Sequence, residues 1–324
     1  MQIIFKEYAP VVLFTYNRPV HTKRVIEALM QNIYACDTDL YVYSDAARND
    51  SAIKGVMTTR EYLKTVTGFR SVTIVERDFN YGLAKNIIEG VTEICNRFGR
   101  VIVLEDDHVT SPYFLKYMNE GLEIYSENLN VASIHGYMYP HKKQLPEVFF
   151  VKGADCWSWA TWKRAWDLFN PDGTYLLEQL ETKGYTREFD FDYSVGYTHM
   201  LRNQIAGKNQ SWAIRWSASM FLHNMYTLYP NVSLTQMIGA DGSGTHNNAG
   251  DSSRKYLVDL GQRPIDFSNR PKEVAMTLDT RNVFRDFFLS VQPIRVRLVW
   301  YICHILRIPG SYLDLTTKVK NIFN

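Results

Sequence analysis

Three consecutive acids, Glu105, Asp106 and Asp107, follow the apolar run at residues 101–104 in the sequence R-V-I-V-L-E-D-D-H. An unbroken apolar run rich in β-branched residues is typical of a strand buried on both faces. Adjacent carboxylates at the end of such a strand repel each other and resist removal from water. A divalent cation relieves that conflict, and Mg²⁺ or Mn²⁺ prefers such oxygen ligands. The pattern predicts a metal–diphosphate site, with a charged turn after a core strand as the alternative.

Polar residues that suit nucleotide binding follow the earlier apolar runs of the chain. They are Thr15, Asn17, Arg18, Asp45, Lys85 and Asn86. Arg18 can neutralise a phosphate, and Asp45 can accept a hydrogen bond from a base N–H. Lys85 and Asn86, one turn into a predicted helix, can face a diphosphate. A helix cap or a solvated loop charge explains each residue alone more simply, but their joint position at one sheet edge predicts a binding crevice.

Four tryptophans, Trp157, Trp159, Trp162 and Trp166, fall within ten residues. The last three recur at helical spacing, which predicts a helix with a stripe facing the core. Trp157 precedes that helix. It is the better candidate for stacking on a sugar ring, because its indole offers both an apolar face and an N–H donor.

The segment at residues 239–246, G-A-D-G-S-G-T-H, is rich in glycine. It lacks the G-K-[ST] ending of a P-loop. The composition predicts a mobile loop that can close over a bound donor. His246 at its end can ligate a metal or donate a hydrogen bond to a diphosphate, and a loop histidine in water is the alternative.

The elements that must position these residues alternate along the first hundred residues. Strands are predicted at residues 10–16, 39–44, 71–76 and 101–104, with helices between them at residues 19–31, 52–65 and 83–98. Strands separated by helices of this length indicate βαβ units and a parallel sheet. The second half is less regular, with a helix predicted at residues 112–125 and strands at residues 130–135 and 147–151. The fold class is α/β.

Composition narrows the classes of function. The chain has 324 residues, 46% of them hydrophobic, and a net charge of +2, so no strong field for nucleic acid is expected. Its four cysteines form no C-x-x-C pair, which favours a reducing compartment and no structural zinc. The first residues lack the layout of a signal peptide, and no apolar run could cross a bilayer. These features predict a cytoplasmic protein.

The strand-end motifs together resemble those of the GT-A glycosyltransferases. The stretches are P-V-V-L-F-T-Y-N-R-P, V-Y-S-D, N-Y-G-L-A-K-N and V-I-V-L-E-D-D. They look most like the eukaryotic N-acetylglucosaminyltransferase I family and bacterial relatives of glycosyltransferase family 2. The resemblance covers roughly residues 8–250. It implies a Rossmann-like nucleotide-diphospho-sugar transferase fold with a mainly parallel central sheet.

The resemblance also implies a domain plan and a function. Residues 1–250 would form the catalytic domain, with a nucleotide-binding half at residues 8–108 and an acceptor half at residues 109–250. The implied activity is metal-dependent transfer from a nucleotide-sugar to a glycan or lipid-linked saccharide, in surface polysaccharide or glycoconjugate synthesis. The implied cofactor is Mn²⁺ or Mg²⁺, and nucleic acid is not an expected partner.

The resemblance also implies a role for each residue at a matching position of the motifs. Asp107 would ligate the metal, Asp106 would lie near the ribose and Glu105 near the donor sugar. Asp45 would contact uracil, which implies a UDP-sugar, and Arg18 would lie beside the nucleotide. The families also have a histidine near the donor, comparable to His246, and a glycine–tryptophan loop beside the acceptor, comparable to the segment that holds Trp157.

One motif departs from the pattern. The N-acetylglucosaminyltransferase family has its base in a W-D-D-W motif, but residues 212–216 here read W-A-I-R-W. An inverting transfer needs a base for the acceptor hydroxyl. Asp155 is the first candidate and Asp192 the second, with Asp190 also possible; a retaining mechanism would need no such base. A nucleotidyltransferase, whose usual G-x-G-T-R-L stretch is absent, and a catalytically decayed carbohydrate-binding protein are the alternative functions.

Residues 251–324 are predicted to be a tether followed by an amphipathic helical appendage. The helix is expected at residues 293–306, P-I-R-V-R-L-V-W-Y-I-C-H-I-L, with basic residues flanking its apolar face. This pattern predicts peripheral contact with the inner face of the cytoplasmic membrane. Packing on the catalytic domain, or a homodimer through this helix, explains the pattern equally well.

Overall fold

The computed structural model describes residues 7–239, 253–292 and 294. The strands in chain order are β1 (Val11–Thr15), β2 (Asp39–Ser44), β3 (Ser71–Glu76), β4 (Arg100–Glu105), β5 (His108–Thr110), β6 (Val131–His135), β7 (Val148–Lys152), β8 (Trp159–Trp162), β9 (Tyr226–Pro230) and β10 (Thr235–Met237). The α-helices are α1 (Pro19–Met30), α2 (Asp50–Leu63), α3 (Gly82–Phe98), α4 (Phe114–Ile124), α5 (Lys163–Trp166), α6 (Gly173–Thr182), α7 (Thr186–Phe189), α8 (Tyr197–Ile205), α9 (Trp212–Leu222) and α10 (Leu278–Val291).

The first four strands of the central sheet are parallel. The sheet has eight strands in the order β3-β2-β1-β4-β8-β6-β9-β7. Val12 lies opposite both Tyr41 of β2 and Val103 of β4, so the carboxyl ends of these strands meet at one edge. Strands β7 and β8 run antiparallel to their neighbours, and the other six share one direction. The predicted α/β class and mainly parallel sheet are confirmed.

The helices cover both faces of the sheet, because residues along each strand alternate between two cores. On one face, Leu13 and Leu104 pack with helices α1, α2 and α4. On the other, Phe14 and Val103 pack with helices α3, α5 and α9. Burial of both faces explains why the strands read as continuous apolar runs and not as alternating ones.

The helix predicted for the tryptophan segment is wrong in its first part. Trp159 and Trp162 belong to strand β8, which pairs with β4 and β6, and only residues from Lys163 onward are helical. Three-residue spacing in a strand places the two indoles on opposite faces. Trp159 accordingly packs in one core and Trp162 in the other, while Trp166 on α5 joins Trp159. The prediction that these tryptophans are buried is correct.

The described part of the C-terminal region packs on the sheet. Ile265 and Phe267 belong to the core under α1 and α4. On α10, Phe284 packs against Phe149 and Tyr229 of strands β7 and β9, and Phe288 belongs to the same core cluster. The boundary predicted at residue 250 and the helix predicted at residues 293–306 lie outside the described residues, so both stay predictions. Within the described ranges, no helix is long and apolar enough to cross a membrane.

Candidate functional site

The three acids lie where β4 ends in the middle of the sheet. Glu105 is the last residue of β4, and Asp106 and Asp107 form the turn into β5. The neighbouring strand β1 ends at Thr15, and the backbone N–H of Tyr16 donates to Asp106 at 3.4 Å. The predicted position of the acidic triplet, at the carboxyl end of a buried central strand, is therefore confirmed.

Arg18 and His108 both contact the acids of this cluster. Arg18 Nη2 contacts Asp106 and lies 3.0 Å from Asp107 Oδ2. His108 Nδ1 lies 3.0 Å from Asp107 Oδ1. Burial opposes ionisation of Asp107, but His108 and Arg18 outweigh burial and hold the pKa of that carboxyl below its usual range. Asp107 therefore carries a negative charge at neutral pH.

The other two acids of the cluster are harder to ionise. Burial, followed by the charge of Asp107, raises the pKa of Glu105 to about 7. Burial also raises the pKa of Asp106, although Arg18 opposes it. Burial lowers the pKa of His108, but the charge of Asp107 exceeds that effect and raises it overall. Of the three acids, Asp107 is therefore the one that ionises most readily.

The glycine-rich segment begins directly on this cluster. Strand β10 pairs antiparallel with β5, and the N–H of Ile238 donates to the carbonyl of Asp107 at 2.8 Å. Gly239 follows, so close that a Cβ atom there would lie 2.6 Å from Asp107 Oδ2 and 3.1 Å from Arg18 Nη1. The rest of the segment, with His246, lies outside the described residues, and its predicted role at the metal stays a prediction.

The acids offer few ligands for a metal. Among the described residues, no group of three or more His, Cys, Asp or Glu side chains is placed to hold a metal ion. Mg²⁺, however, is usually held by one or two carboxylates together with substrate phosphates and waters. The partly buried, ionised carboxylate of Asp107 meets that lower requirement. The predicted Mn²⁺ or Mg²⁺ site remains compatible with these residues and stays a prediction.

Asp45, at the end of β2, caps the start of helix α3. Its carboxylate accepts hydrogen bonds from the N–H groups of Ala46, Tyr81 and Gly82 and from the Asn80 amide, at 2.8–3.0 Å. A carboxylate has about four acceptor positions, and these donors occupy all of them. A contact with uracil would require one donor to leave, and the predicted contact is untested.

The remaining predicted nucleotide residues lie around the same edge. The N–H of Asp45 donates to the carbonyl of buried Thr15 at 3.0 Å, which joins the ends of β1 and β2. Asn86 is buried and accepts from Arg77 Nε at 2.9 Å. Lys85 Nζ is half-exposed, 3.6 Å from the centre of the Tyr81 ring. Half-buried Asn17 begins the loop that ends with Arg18.

The loop between β7 and β8 brings Asp155 and Trp157 toward the acidic cluster. The Trp157 ring lies 5.7 Å from that of His108 and 4.8 Å from that of Tyr137. Burial, and then the charges of Asp155 and Glu105, raise the pKa of the Cys156 thiol. The loop that carries Asp155 therefore also contacts the acidic cluster, through the rings of Trp157 and His108.

Both carboxylates predicted as the general base already have partners. Asp155 Oδ2 accepts from the hydroxyls of Tyr139 and Tyr229, at 3.1 and 3.0 Å. Asp192 forms ion pairs with Arg187 at 3.0 Å and Arg281 at 3.2 Å, which tie its turn to α10. Neither assignment as base is tested by these contacts. In the sequence, only the high tyrosine content points to such hydroxyl partners, and it does not identify Tyr139 and Tyr229.

Comparisons with known proteins add little. No family model matches this chain, and neither does any curated protein. Solved structures that match include S. aureus TarS (12% identity over 45% of this chain and 24% of that chain, TM-score 0.30). TarS 1–349 in complex with UDP-GlcNAc matches at 12% identity over 43% of this chain and 37% of that chain, with a TM-score of 0.30. TarS 1–349 alone matches at 10% identity over 48% of this chain and 47% of that chain, with a TM-score of 0.32.

This chain spans less than half the length of each of those structures, at 24–47%. At such TM-scores the likeness carries no argument about fold or activity. The function proposed below depends on the site and on the sequence motifs.

Proposed function

We propose that this protein is a GT-A-type glycosyltransferase that moves a sugar from a nucleotide-sugar to a glycan or lipid-linked saccharide. The observation that carries the proposal is the acidic cluster at the end of β4, where Asp107 is ionised, paired with Arg18 and contacted by the start of the glycine-rich segment. In open α/β sheets, ligands bind beyond the carboxyl ends of the strands. The motifs that resemble GT-A enzymes end at this edge.

The donor side of the proposal assigns roles to the residues at this edge. Arg18 would hold a phosphate oxygen, because a guanidinium can offer two parallel donors to an anion. Asp107 and His246 would hold Mn²⁺ or Mg²⁺, which as a Lewis acid neutralises the departing diphosphate. The resemblance assigns Asp45 to uracil, a contact that would require one of its present donors to leave, so the proposed donor is a UDP-sugar.

The acceptor side of the proposal is the loop with Asp155 and Trp157. Inversion at the sugar carbon requires removal of the acceptor proton. Asp192 is ion-paired to two arginines, and Asp155 accepts from two tyrosines, so neither carboxylate can take up the acceptor proton without disturbing partners that it already has. The proposal therefore places Asp155 beside the acceptor and assigns it no proton transfer.

Calorimetric binding of UDP-GlcNAc with and without Mn²⁺ tests the proposal. We expect Mn²⁺-dependent binding, weaker binding of GDP and CDP than of UDP, and loss of binding in Asp107→Ala with the fold retained. Asp78→Ala, an exposed acid after β3, is the matched control and should bind normally. If the wild-type protein binds UDP-GlcNAc equally well without Mn²⁺, the proposed metal dependence is wrong. If Asp107→Ala binds as well as the wild type, the proposed site is wrong.

A catalytically decayed carbohydrate-binding protein is the second candidate. It is favoured by the W-A-I-R-W segment, which has no carboxylate, and by the two arginines that pair with Asp192. Release of UDP from UDP-GlcNAc separates the two, because a decayed protein would bind the donor and release no UDP above background. Formation of UDP-GlcNAc from UTP and the sugar 1-phosphate would instead indicate a nucleotidyltransferase.

The C-terminal segment is proposed to contact anionic membrane. Truncation from residue 285 would remove Phe287 and Phe288, which are buried against the sheet. Truncation from residue 293 keeps them. We expect that shorter deletion to lower co-sedimentation with phosphatidylserine vesicles and to leave UDP-GlcNAc binding unchanged. Full-length protein that does not sediment at low salt would indicate packing of the segment on protein.

A further inference from the structure

The two edges of the central sheet differ in exposure. At one edge, β7 is buried except for its half-buried last residue, and α10 packs on it. At the other edge, β3 pairs with β2 and, among the described residues, with no other strand. The side chains of β3 are exposed or half-buried along the whole strand. Proteins usually cover such an edge or interrupt it with charges, proline or a bulge.

The edge strand β3 has few of the features that discourage strand pairing. Its sequence, S-V-T-I-V-E, contains no proline, lysine or glycine. It runs in unbroken register beside β2 over all six residues, so no bulge bends it away. The N–H of Arg77, just after the strand, donates to the carbonyl of Ser44. Since backbone groups alternate in direction along a strand, those of Val72, Ile74 and Glu76 point away from β2 and are available to another strand.

Helix α2 has an exposed apolar flank beside this strand. Ile53 and Met57, one turn apart, are 44% and 56% exposed. Arg60 follows on the same side of the helix and pairs with Glu76 at the end of β3, at 3.1 Å. That side of α2 therefore leans toward the edge strand. We call the two apolar side chains of α2 together with residues 71–76 the β3 edge surface.

The charges at the two ends of β3 indicate which strand could pair with it. The side chains of Arg70, just before the strand, and Glu76, at its end, are 49% and 38% exposed. Asp39 binds Nε and Nη2 of Arg70, and Arg60 binds one oxygen of Glu76. Within the described part of the chain, Arg70 Nη1 and the second oxygen of Glu76 make no further hydrogen bond. A strand with an acid opposite Arg70 and a base opposite Glu76 would complete both pairs.

A second copy of β3 meets this requirement when it runs antiparallel. With Thr73 of the two copies opposite each other, Arg70 of each copy lies opposite Glu76 of the other. The same register places Val72 opposite Ile74, two half-buried residues that already pack on the core. Their outward backbone groups can exchange hydrogen bonds, while Thr73 forms the closer, non-hydrogen-bonded pair. Opposite charges and paired threonines both stabilise antiparallel neighbours.

We propose that this protein forms a symmetric homodimer in which the β3 strands of two copies pair antiparallel and join the two central sheets. A twofold axis perpendicular to the sheet places both copies of α2 on the same face, where Ile53 and Met57 of the two copies pack together. This surface differs from the C-terminal helix, for which the sequence also allows a homodimer. The pairing leaves the carboxyl ends of the strands uncovered, and the proposal does not depend on the proposed function.

Sedimentation equilibrium of the full chain tests for the dimer. We expect a species of twice the 37.7 kDa chain mass. Thr73→Lys places two lysines side by side at the centre of the interface and should raise the dissociation constant roughly tenfold or more, because opposed like charges repel. Thr73 is exposed, so the variant should keep its fold, which circular dichroism checks. Thr182→Lys, at an exposed position on α6, is the matched control and should dimerise normally.

Disulfide formation tests the register of the pairing. Opposed residues of a non-hydrogen-bonded pair have Cα atoms about 4.5 Å apart, which a disulfide can span. Thr73→Cys should therefore give a covalent dimer on mild oxidation. Ser71→Cys is the matched control and should not cross-link, because the two copies of residue 71 lie four residues apart along the pair. Both variants also carry Cys36→Ser, which removes an exposed native thiol.

Three outcomes would overturn the proposal. A monomer at every concentration would indicate that another part of the chain covers β3. A dimer that Thr73→Lys does not weaken would have its interface elsewhere. Equal cross-linking of the two cysteine variants would exclude the proposed register. None of these measurements uses a nucleotide or a sugar, so their results are independent of the proposed function.

Discussion

Two regions of the molecule hold a partly buried carboxylate, and the partners of the carboxylate differ in charge between them. At the end of β4, Asp107 is paired with the cation Arg18 and contacts His108. In the loop after β7, Asp155 is held by the neutral hydroxyls of Tyr139 and Tyr229. A carboxylate paired with cations keeps its charge inside the protein, and nearby positive charge can also serve an anionic ligand. A carboxylate held by hydroxyls has partners that carry no charge.

The difference determines how each region responds to an added charge. The electrostatic balance of the first region changes when an anion or cation enters it. The second region is insensitive to such changes, because its donors stay neutral at physiological pH. The predictions below test whether this contrast controls stability, from the largest expected effect to the smallest.

Removal of the cation in the first region should have the largest effect. Arg18→Leu leaves Asp106 and Asp107 buried with their main counter-charge gone. Breaking a buried pair in this way destabilises a protein by about 3–5 kcal/mol. Urea denaturation measures the loss. The control is Arg70→Leu, which breaks the exposed pair with Asp39 and should cost at most about 1 kcal/mol. If Arg18→Leu and Arg70→Leu lower the free energy of unfolding equally, the pairing of Arg18 with the acidic cluster has no special importance for stability.

Asp190 provides a third case, a buried acid held by neutral donors from Thr198. Burial raises its pKa to about 7. The folded protein therefore keeps a proton on Asp190 between about pH 4 and 7 that the unfolded chain releases, and the free energy of unfolding falls as pH rises through this window. The slope should be about 1 kcal/mol per pH unit, and about 3 kcal/mol in total.

Asp190→Asn should flatten this dependence, because the amide oxygen can still accept from Thr198 and does not titrate. Urea denaturation of both proteins between pH 4 and 8 gives the comparison. A slope in the variant equal to that of the wild type would show that Asp190 is ionised in the folded protein.

The close approach of Gly239 to the acidic cluster should have an intermediate effect. In Gly239→Ala the new methyl group would lie 2.6 Å from Asp107 Oδ2. The methyl group would push the Asp107 carboxylate away from Arg18. Overpacking of this kind costs about 1–3 kcal/mol. We expect a lower melting temperature together with weaker Mn²⁺-dependent UDP binding. A variant that loses neither would mean that the segment moves away from the cluster freely.

Loss of one hydroxyl in the second region should have the smallest effect. Tyr229→Phe removes a donor to Asp155 and keeps the ring, so it should cost about 1 kcal/mol. Tyr175→Phe, on the exposed side of α6, is the control and should change stability little. A loss of stability close to that of Arg18→Leu would show that the hydroxyls of Tyr139 and Tyr229 stabilise Asp155 as strongly as Arg18 stabilises Asp107.

Local patterns predicted the nucleotide-binding half of the fold well. The strands at residues 39–44 and 71–76 were predicted with the observed bounds, and β1, β4 and the helices between them within a few residues. Apolar runs, caps and turn residues are local signals, and here each agrees with the parallel sheet. The position of Glu105, Asp106 and Asp107 at the end of β4 followed from the same signals.

Pairings between distant segments were not predictable in this way. The three-residue spacing of Trp159 and Trp162 fits one face of a helix and also two faces of a strand, and only the pairing of β8 with β4 and β6 decides between them. The ribbon of β5 and β10, which brings Gly239 onto Asp107, joins residues more than a hundred positions apart. Neither strand has a periodicity long enough to reveal it.

The sequence by itself determined which carboxylates lie at strand ends and in loops. Only the tertiary structure decided which of them are charged, because the pKa of a buried acid depends on neighbours that the chain brings together from afar. Arg18 is close to 90 residues from Asp107, and Tyr229 is 74 residues from Asp155. Two aspartates can therefore have different partners, a cation at Asp107 and hydroxyls at Asp155.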